Sequence, residues 1–265
     1  MPATDLDLLR DAALEAGRIA RRYWRDDPQV WDKGGDDPVS EADFAVDTYL
    51  KTELLRARPD YGWVSEETED DPARLDAACV FIVDPIDGTR AFVAGEPTWA
   101  HSLAVARNGQ VTAACVYLPV RDKMYLAATD RGATMNGAAL SATRADALDD
   151  ANVLTPRVTM QGRFWKDSVP AFKRHFRPSL AYRLALVGEG RFDAMLTLRP
   201  AWEWDIAAGA LIAAEAGATV TDRHGKPLAF NSMARQTAGV VTAAAALHPQ
   251  IIGALHPNPE GRQGR

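Results

Sequence analysis

The residues with the most chemistry in this sequence are acidic. In FIVDPIDGTRAF, Phe81 to Phe92, a run of strand-forming residues ends in Asp84 and Asp87, followed at once by Gly88 and Thr89. Glu66 and Glu67 form an adjacent pair in SEE, and Asp205 follows a tryptophan in WEWDIAAG. Each has an ordinary structural explanation. Asp-Pro and Asp-Gly are turn dipeptides, a carboxylate in a helix's first turn is favoured by the dipole, and Glu66 and Glu67 suit a solvated acidic loop. Glu69, Asp70 and Asp71 keep that last reading. Taken together, the other carboxylates suggest more. Hard cations such as Mg²⁺ take oxygen donors and share them with substrate phosphate. Four carboxylates balance two divalent ions that would otherwise repel across about 4 Å. The amides of Gly88 and Thr89 open a short helix, whose unpaired N–H groups suit phosphate oxygens, and glycine lets an anion approach the backbone. Carboxylates, cations and an anion cradle in one place describe phosphoryl transfer.

The surrounding elements must bring these groups together. Thr4 caps a first helix in which Leu6, Leu9, Ala13, Ala16, Ala20 and Tyr23 recur at three- and four-residue steps. A polar, Gly/Pro-bearing loop follows, and Ser40 caps a second helix to about Arg58, with Asp43 in its first turn. A short strand in GWVS enters the acidic loop. Cys79 to Val83 reads as a strand buried on both faces, ending in a turn at DPIDGT. A short helix and the strand HSLAVA come next. Asn108-Gly109 signals a hairpin into QVTAACVYLP, with KMYLAAT continuing antiparallel. The second half alternates helix LAYRLALVGEG, strand FDAMLTL, a tryptophan-rich turn, helix DIAAGALIAAEAG closed by Gly217, and strand ATVTD. Asp84, Asp87 and Asp205 thus fall where a strand or turn hands over to a helix, the edges at which α/β structures collect ligands.

Composition narrows the function classes. The chain has 265 residues, 47% apolar and 25% charged, with a net charge of −6. That is the profile of a globular protein and offers no basic stripe for a nucleic-acid polymer. Arg18, Arg21, Arg22 and Arg25 read as the wet face of a helix. The two cysteines, Cys79 and Cys115, have no metal-site spacing and read as buried free thiols. The acidic, amphipathic N-terminus is wrong for a secretion signal and no apolar run reaches the length of a membrane span, so a cytoplasmic location is expected. None of the five histidines falls in a catalytic pattern, and His101, in a strand, is assigned to structure. The tail from about Pro257 has the composition of a disordered segment.

DPIDGTRAF resembles the first signature of the inositol monophosphatase superfamily, and WDIAAGALIAAEAG resembles the second. SEE at Ser65 to Glu67 matches the family's third metal element and VSEADFAVD its upstream aspartate segment, both lying before the first signature, and the likeness runs in order from about residue 5 to about residue 245. It implies an αβαβα layered α/β fold, with an α+β half over 1–145, an α/β half over 146–256 and the tail at 257–265. It also implies the site. Glu66, Asp84 and the carbonyl of Ile86 would hold a first Mg²⁺. Asp84, Asp87 and Asp205 would hold a second, and a third, weaker Mg²⁺ would sit near Glu66. The amides of Gly88 and Thr89 would bind phosphate. Glu66 and Thr89 would activate the attacking water, Asp43 accepting a hydrogen bond from Thr89, and Glu67 would support the ligands from behind. The family is lithium-sensitive and usually homodimeric.

Substrate choice rests on fewer residues. In the inositol phosphatases a glutamate seven positions before the second-signature aspartate contacts the inositol. Leu198 stands there unless the loop carries an insertion, and LRPAWEWD resembles the shorter LRPWD of some bacterial inositol phosphatases lengthened by two residues. SLAYRLALVGEGRFD and PAWEWDIAAG instead resemble bacterial 3'(2'),5'-bisphosphate nucleotidases. On that reading Trp202 stacks on a base and Arg183 or Arg199 pairs with a second phosphate. The competing reading makes Trp202 and Trp204 packing residues and the arginines surface. The expected partner is a small phosphate monoester, with the bisphosphate nucleotide favoured over inositol 1-phosphate, histidinol phosphate or fructose 1,6-bisphosphate. A low-turnover binding module, as superfamily members linked to RNA-processing machinery suggest, is the alternative of another class.

Overall fold

The structure is a computed structural model and describes residues 4–35, 38–257 and 259. Helix α1 (Asp5–Tyr23) starts where Thr4 accepts from the N–H of Asp7, and α2 (Glu41–Ala57) starts at a capping box between Ser40 and Asp43. A small antiparallel hairpin, β1 (Val30–Asp32) with β2 (Pro38–Ser40), lies between the two helices in sequence. Strands β3 (Gly62–Ser65) and β4 (Cys79–Asp87) pair in parallel. The five-residue α3 (Thr89–Val93) follows, and then an antiparallel run of β5 (Ala100–Arg107), β6 (Gln110–Leu118), β7 (Lys123–Ala128), β8 (Ala133–Met135) and β9 (Ala138–Ala139). Together these strands make a seven-stranded sheet in sequence order. Asn108 and Gly109 form the hairpin turn with positive φ at both positions, as a two-residue loop requires.

A second sheet of five strands orders as β11 (Lys173–His175), β10 (Asn152–Leu154), β12 (Ala194–Thr197), β16 (Val240–Ala244) and β14 (Ala218–Thr221). A two-residue pair, β13 (Ala201–Trp202) with β15 (Gln236–Thr237), stands beside it. Helices α4 (Leu180–Gly188) and α5 (Glu203–Glu215) lie between the two sheets, and α6 (His248–Ala254) lies near the C-terminus.

Alternation along β4 explains the layering. Phe81 and Val83 point into a core shared with Leu9, Ala13 and Leu50 of α1 and α2. Val80 and Ile82 point into another, shared with Leu184 of α4 and Ile206 and Ala207 of α5. Met195 joins that second core from the far sheet, while Leu196 and Val241 turn to a third with Leu247 and Ile251. The order is therefore helix, sheet, helix, sheet, helix, the layered α/β architecture that the signatures implied. Of the tail expected to be disordered, all but Pro257 and Pro259 lies outside the described residues.

One element departs from expectation. A turn was expected straight after Val83, yet β4 runs on to Asp87. Asp84 pairs with Ser102 and Asp87 with Ala100, so three steps on β4 match two on β5. Pro85 brings no N–H to the ladder, and the strand bulges there rather than ending.

Candidate active site

The bulge sets two aspartates at the end of a fully buried strand, and neighbouring elements supply their partners. Ser65 ends β3 alongside Val83, which puts Glu66 beside the bulge. The Ser102 hydroxyl, opposite Asp84, donates to the carbonyl of Trp204 at 2.8 Å. That bond ties the first turn of α5 to β5 and brings Asp205 to the same point. Carboxylate oxygens of Glu66, Asp84 and Asp205 lie within 4.8 Å of one another.

Three carboxylates this close cannot all be charged without help. Burial first, and then the neighbouring carboxylates, push Asp84 and Asp205 well above the ordinary carboxylate range. The Oδ1 of Asp84 is buried without a hydrogen-bond partner. An unsatisfied anionic oxygen inside a ring of carboxylates has the chemistry of a hard-cation site, so the residues present fit Mg²⁺.

Asp87 turns to a different task. Its Oδ2 accepts from the Ser179 hydroxyl and the Ala181 N–H, both at 2.6 Å, and its Oδ1 from the Leu180 N–H at 3.1 Å. The side chain thus caps α4 across the layers while still lining the cleft. It stands outside the tight trio, though its charge raises both Asp84 and Asp205. Gly88 adopts φ 98°, where a side chain would be strained, and leads into α3 with its N–H and that of Thr89 at the cleft wall. The single Thr89 hydroxyl proton is shared between two acceptors, Asp43 Oδ1 at 3.3 Å and the carbonyl of Ile86 at 3.1 Å. Ser40 holds Asp43 through its N–H and hydroxyl, while burial lifts that carboxyl to about 6.

Glu66 and Glu67 are joined by a residue the motif reading passed over. The Lys33 ammonium donates to Glu66 at 3.0 Å and to Glu67 at 2.6 Å, and burial lifts Glu67 to about 7. Lys33 lies 33 residues upstream in a loop whose local sequence carries no pointer to either glutamate. Ser179 was also missed, although a serine directly before an apolar helix is a cap signal. His101 is structural as expected: its Nδ1 meets the carbonyl of Pro85, and burial pushes it down to about 4.

The cleft around these groups measures about 480 Å³. Trp202, 38% exposed, lines it and lies flat against Trp204, centroids 4.7 Å apart and planes within 8°. The Arg235 guanidinium stands 5.8 Å from the Trp202 ring. Of the two tryptophans, only Trp204 is the packing residue. Arg183 is buried in the cleft wall with Nη1 unpartnered; its Nε reaches the carbonyl of Ser179 at 3.3 Å, and desolvation pulls it down to about 10. Arg199 is not in the cleft and lines a separate hollow. Leu198, 2% exposed, packs in the core of the second sheet and does not line the cleft.

Comparisons with known proteins bear on the family and the fold. The inositol monophosphatase family profile matches residues 3–260. An inositol-1-monophosphatase from Rhizobium meliloti is 35% identical over 247 residues, covering 86% of this chain and 90% of its own. Nus factor SuhB from Escherichia coli is 31% identical, covering 83% and 85%. The crystal structure of the extragenic suppressor protein suhB from Bartonella henselae superposes with a TM-score of 0.80 at 29% identity, covering 95% of this chain and 98% of its own. A Thermotoga maritima IMPase superposes at 0.78 with 28% identity, covering 94% and 95%. With motifs, layers and relatives in agreement over nearly its whole length, this chain belongs to the inositol monophosphatase family of phosphatases.

Proposed function

We propose that the chain is a Mg²⁺-dependent phosphomonoesterase whose favoured substrate is a 3'(2'),5'-bisphosphate nucleotide such as 3'-phosphoadenosine 5'-phosphate. Glu66, Asp84, the carbonyl of Ile86, Asp87 and Asp205 would hold the ions, with Asp87 using lone pairs left free by its bonds to α4. Bound there, Mg²⁺ lowers the pKa of coordinated water and offsets the charge of the phosphate oxygens. The protein's own part is positioning. The amides of Gly88 and Thr89 hold the phosphate, and Asp43 fixes the Thr89 hydroxyl so that its oxygen can accept from the attacking water. Glu66 takes up that water's proton, and in-line attack needs no protein nucleophile.

The observation that carries the substrate assignment is the pair of Trp202 and Arg183. A tryptophan backed by a second ring leaves one face open to a flat group, and a buried guanidinium with an unpartnered N–H suits a second phosphate. The names of the relatives, inositol-1-monophosphatases among them, favour a second reading, inositol 1-phosphate. A third, a binding module without turnover, is suggested by the relative named as a Nus factor.

Phosphate release from adenosine 3',5'-bisphosphate and inositol 1-phosphate, with and without Mg²⁺, separates the three. The nucleotide is expected to show the higher kcat/KM, and Trp202→Ala to lower it about tenfold, the scale of one base–aromatic stack, while leaving inositol 1-phosphate unchanged. A preference for inositol 1-phosphate that is indifferent to Trp202 would establish the second reading. No release from either would overturn the enzymatic one. Millimolar Li⁺ is expected to inhibit by replacing one Mg²⁺.

A further inference from the structure

A patch of opposite sign lies away from the cleft in this acidic chain. Arg163, Arg199 and Arg223 line a hollow of about 440 Å³ that shares no lining residue with the cleft. They come from three separate segments: the 3₁₀ turn Gly162–Phe164, the loop after β12, and the turn after β14. None of the three forms an ion pair with a carboxylate among the described residues. Two are held in place. Arg223 donates from Nη1 to the carbonyl of Leu198 at 2.9 Å, and the Arg163 guanidinium lies 4.9 Å from the ring of Phe164. The Nε of Arg163 is buried with no partner. Three arginines lining one hollow, one of them with a desolvated N–H left over, raise the local potential and call for an anion.

We propose that Arg163, Arg199 and Arg223 form a second anion site that takes a small molecule bearing a diphosphate. Guanidinium forks match phosphate oxygens in pairs, and three of them exceed what a single carboxylate can satisfy. The hollow is larger than one phosphate group requires, and Pro200 with Phe164 gives it an apolar side. The site is independent of the phosphatase reading, because none of its groups belongs to the carboxylate cluster.

The test is calorimetric titration of the full chain with pyrophosphate and, separately, adenosine diphosphate, in chelator and a phosphate-free buffer. Without divalent ions the catalytic cleft is a cluster of carboxylates and repels both probes. Saturable binding by the wild type is expected, weakening as salt rises. The double variant Arg163→Gln/Arg199→Gln, neither of whose side chains anchors backbone here, is expected to lose at least about tenfold in affinity, as charged hydrogen bonds do. Arg183→Gln, in the cleft, is expected to leave it unchanged. The tighter of the two probes shows whether a bare diphosphate or a nucleotide is the better ligand. No binding by the wild type, binding unaltered in the double variant, or binding abolished by Arg183→Gln would each overturn the proposal. If the double variant fails to fold, Arg199→Glu alone, on an exposed side chain, makes the same comparison.

Discussion

At the scale of single residues, the site is a store of electrostatic strain. Asp84 is buried, lacks a partner for one oxygen, and is pressed by Glu66, Asp87 and Asp205. A carboxyl whose folded pKa is raised favours the folded state at low pH and opposes it as pH rises through that value. At neutral pH the cation-free protein is therefore under strain at this point. Asp84→Asn removes one charge at nearly constant volume. It is expected to raise the stability of the chelator-treated protein by about 1–2 kcal/mol while abolishing phosphatase activity. Chemical denaturation in chelator, beside an activity assay, checks both; a destabilised variant would mean that Asp84 is satisfied by something other than a cation. The four carboxylates were legible because motif and spacing mark them. Lys33 was not, since its value lies in a contact made across 33 positions by folding, while the two extra residues read in LRPAWEWD agree with a cleft lined by Trp202 and not by Leu198.

At the scale of elements, the cleft depends on how closely α4 and α5 approach. A Cβ placed on Gly209 would meet Leu184 Cβ at 2.5 Å and the carbonyl of Ala181 at 3.0 Å. Those helices carry the groups that grip Asp87 and the Asp205 carboxylate, so their spacing sets the site. Helix propensity alone would reward Gly209→Ala by about 1 kcal/mol. Overpacking against backbone and a Cβ costs about 1–3 kcal/mol and is expected to win. The variant should be less stable by up to about 2 kcal/mol with a lowered kcat, the balance of the same two effects. A more stable variant, measured by thermal melting, would contradict the close crossing. The helices themselves were readable from periodicity and caps. The bulge in β4 was not, because Asp-Pro and Asp-Gly speak for a turn locally, and only pairing with β5 keeps the chain extended.

At the scale of the whole molecule, five layers converge on one cleft; alternation and helix periods in the sequence pointed to layers of helix and sheet, and the family resemblance implied their order. What the sequence leaves to the fold is the interior environment of its polar groups. His101 is fully buried in β5, edge-on to Trp99, and held near 4 by burial. In the unfolded chain it takes a proton at about 6.5. The sign follows: stability is whole above the unfolded value and falls as pH drops toward the folded one. Between about pH 7 and about pH 5 this group should remove about 2 kcal/mol, a loss that His101→Gln should not show. Denaturation of both proteins in chelator at the two pH values checks the difference; equal slopes would remove His101 from the account.

The central claim is that Glu66, Asp84 and Asp205 converge because they share a divalent cation. Diffraction at the manganese edge from crystals soaked in Mn²⁺ in place of Mg²⁺ tests it directly. Anomalous density within coordination distance of Asp84 and of at least one of Glu66 and Asp205 is the predicted result. Density only elsewhere, or none at saturating Mn²⁺, would contradict it.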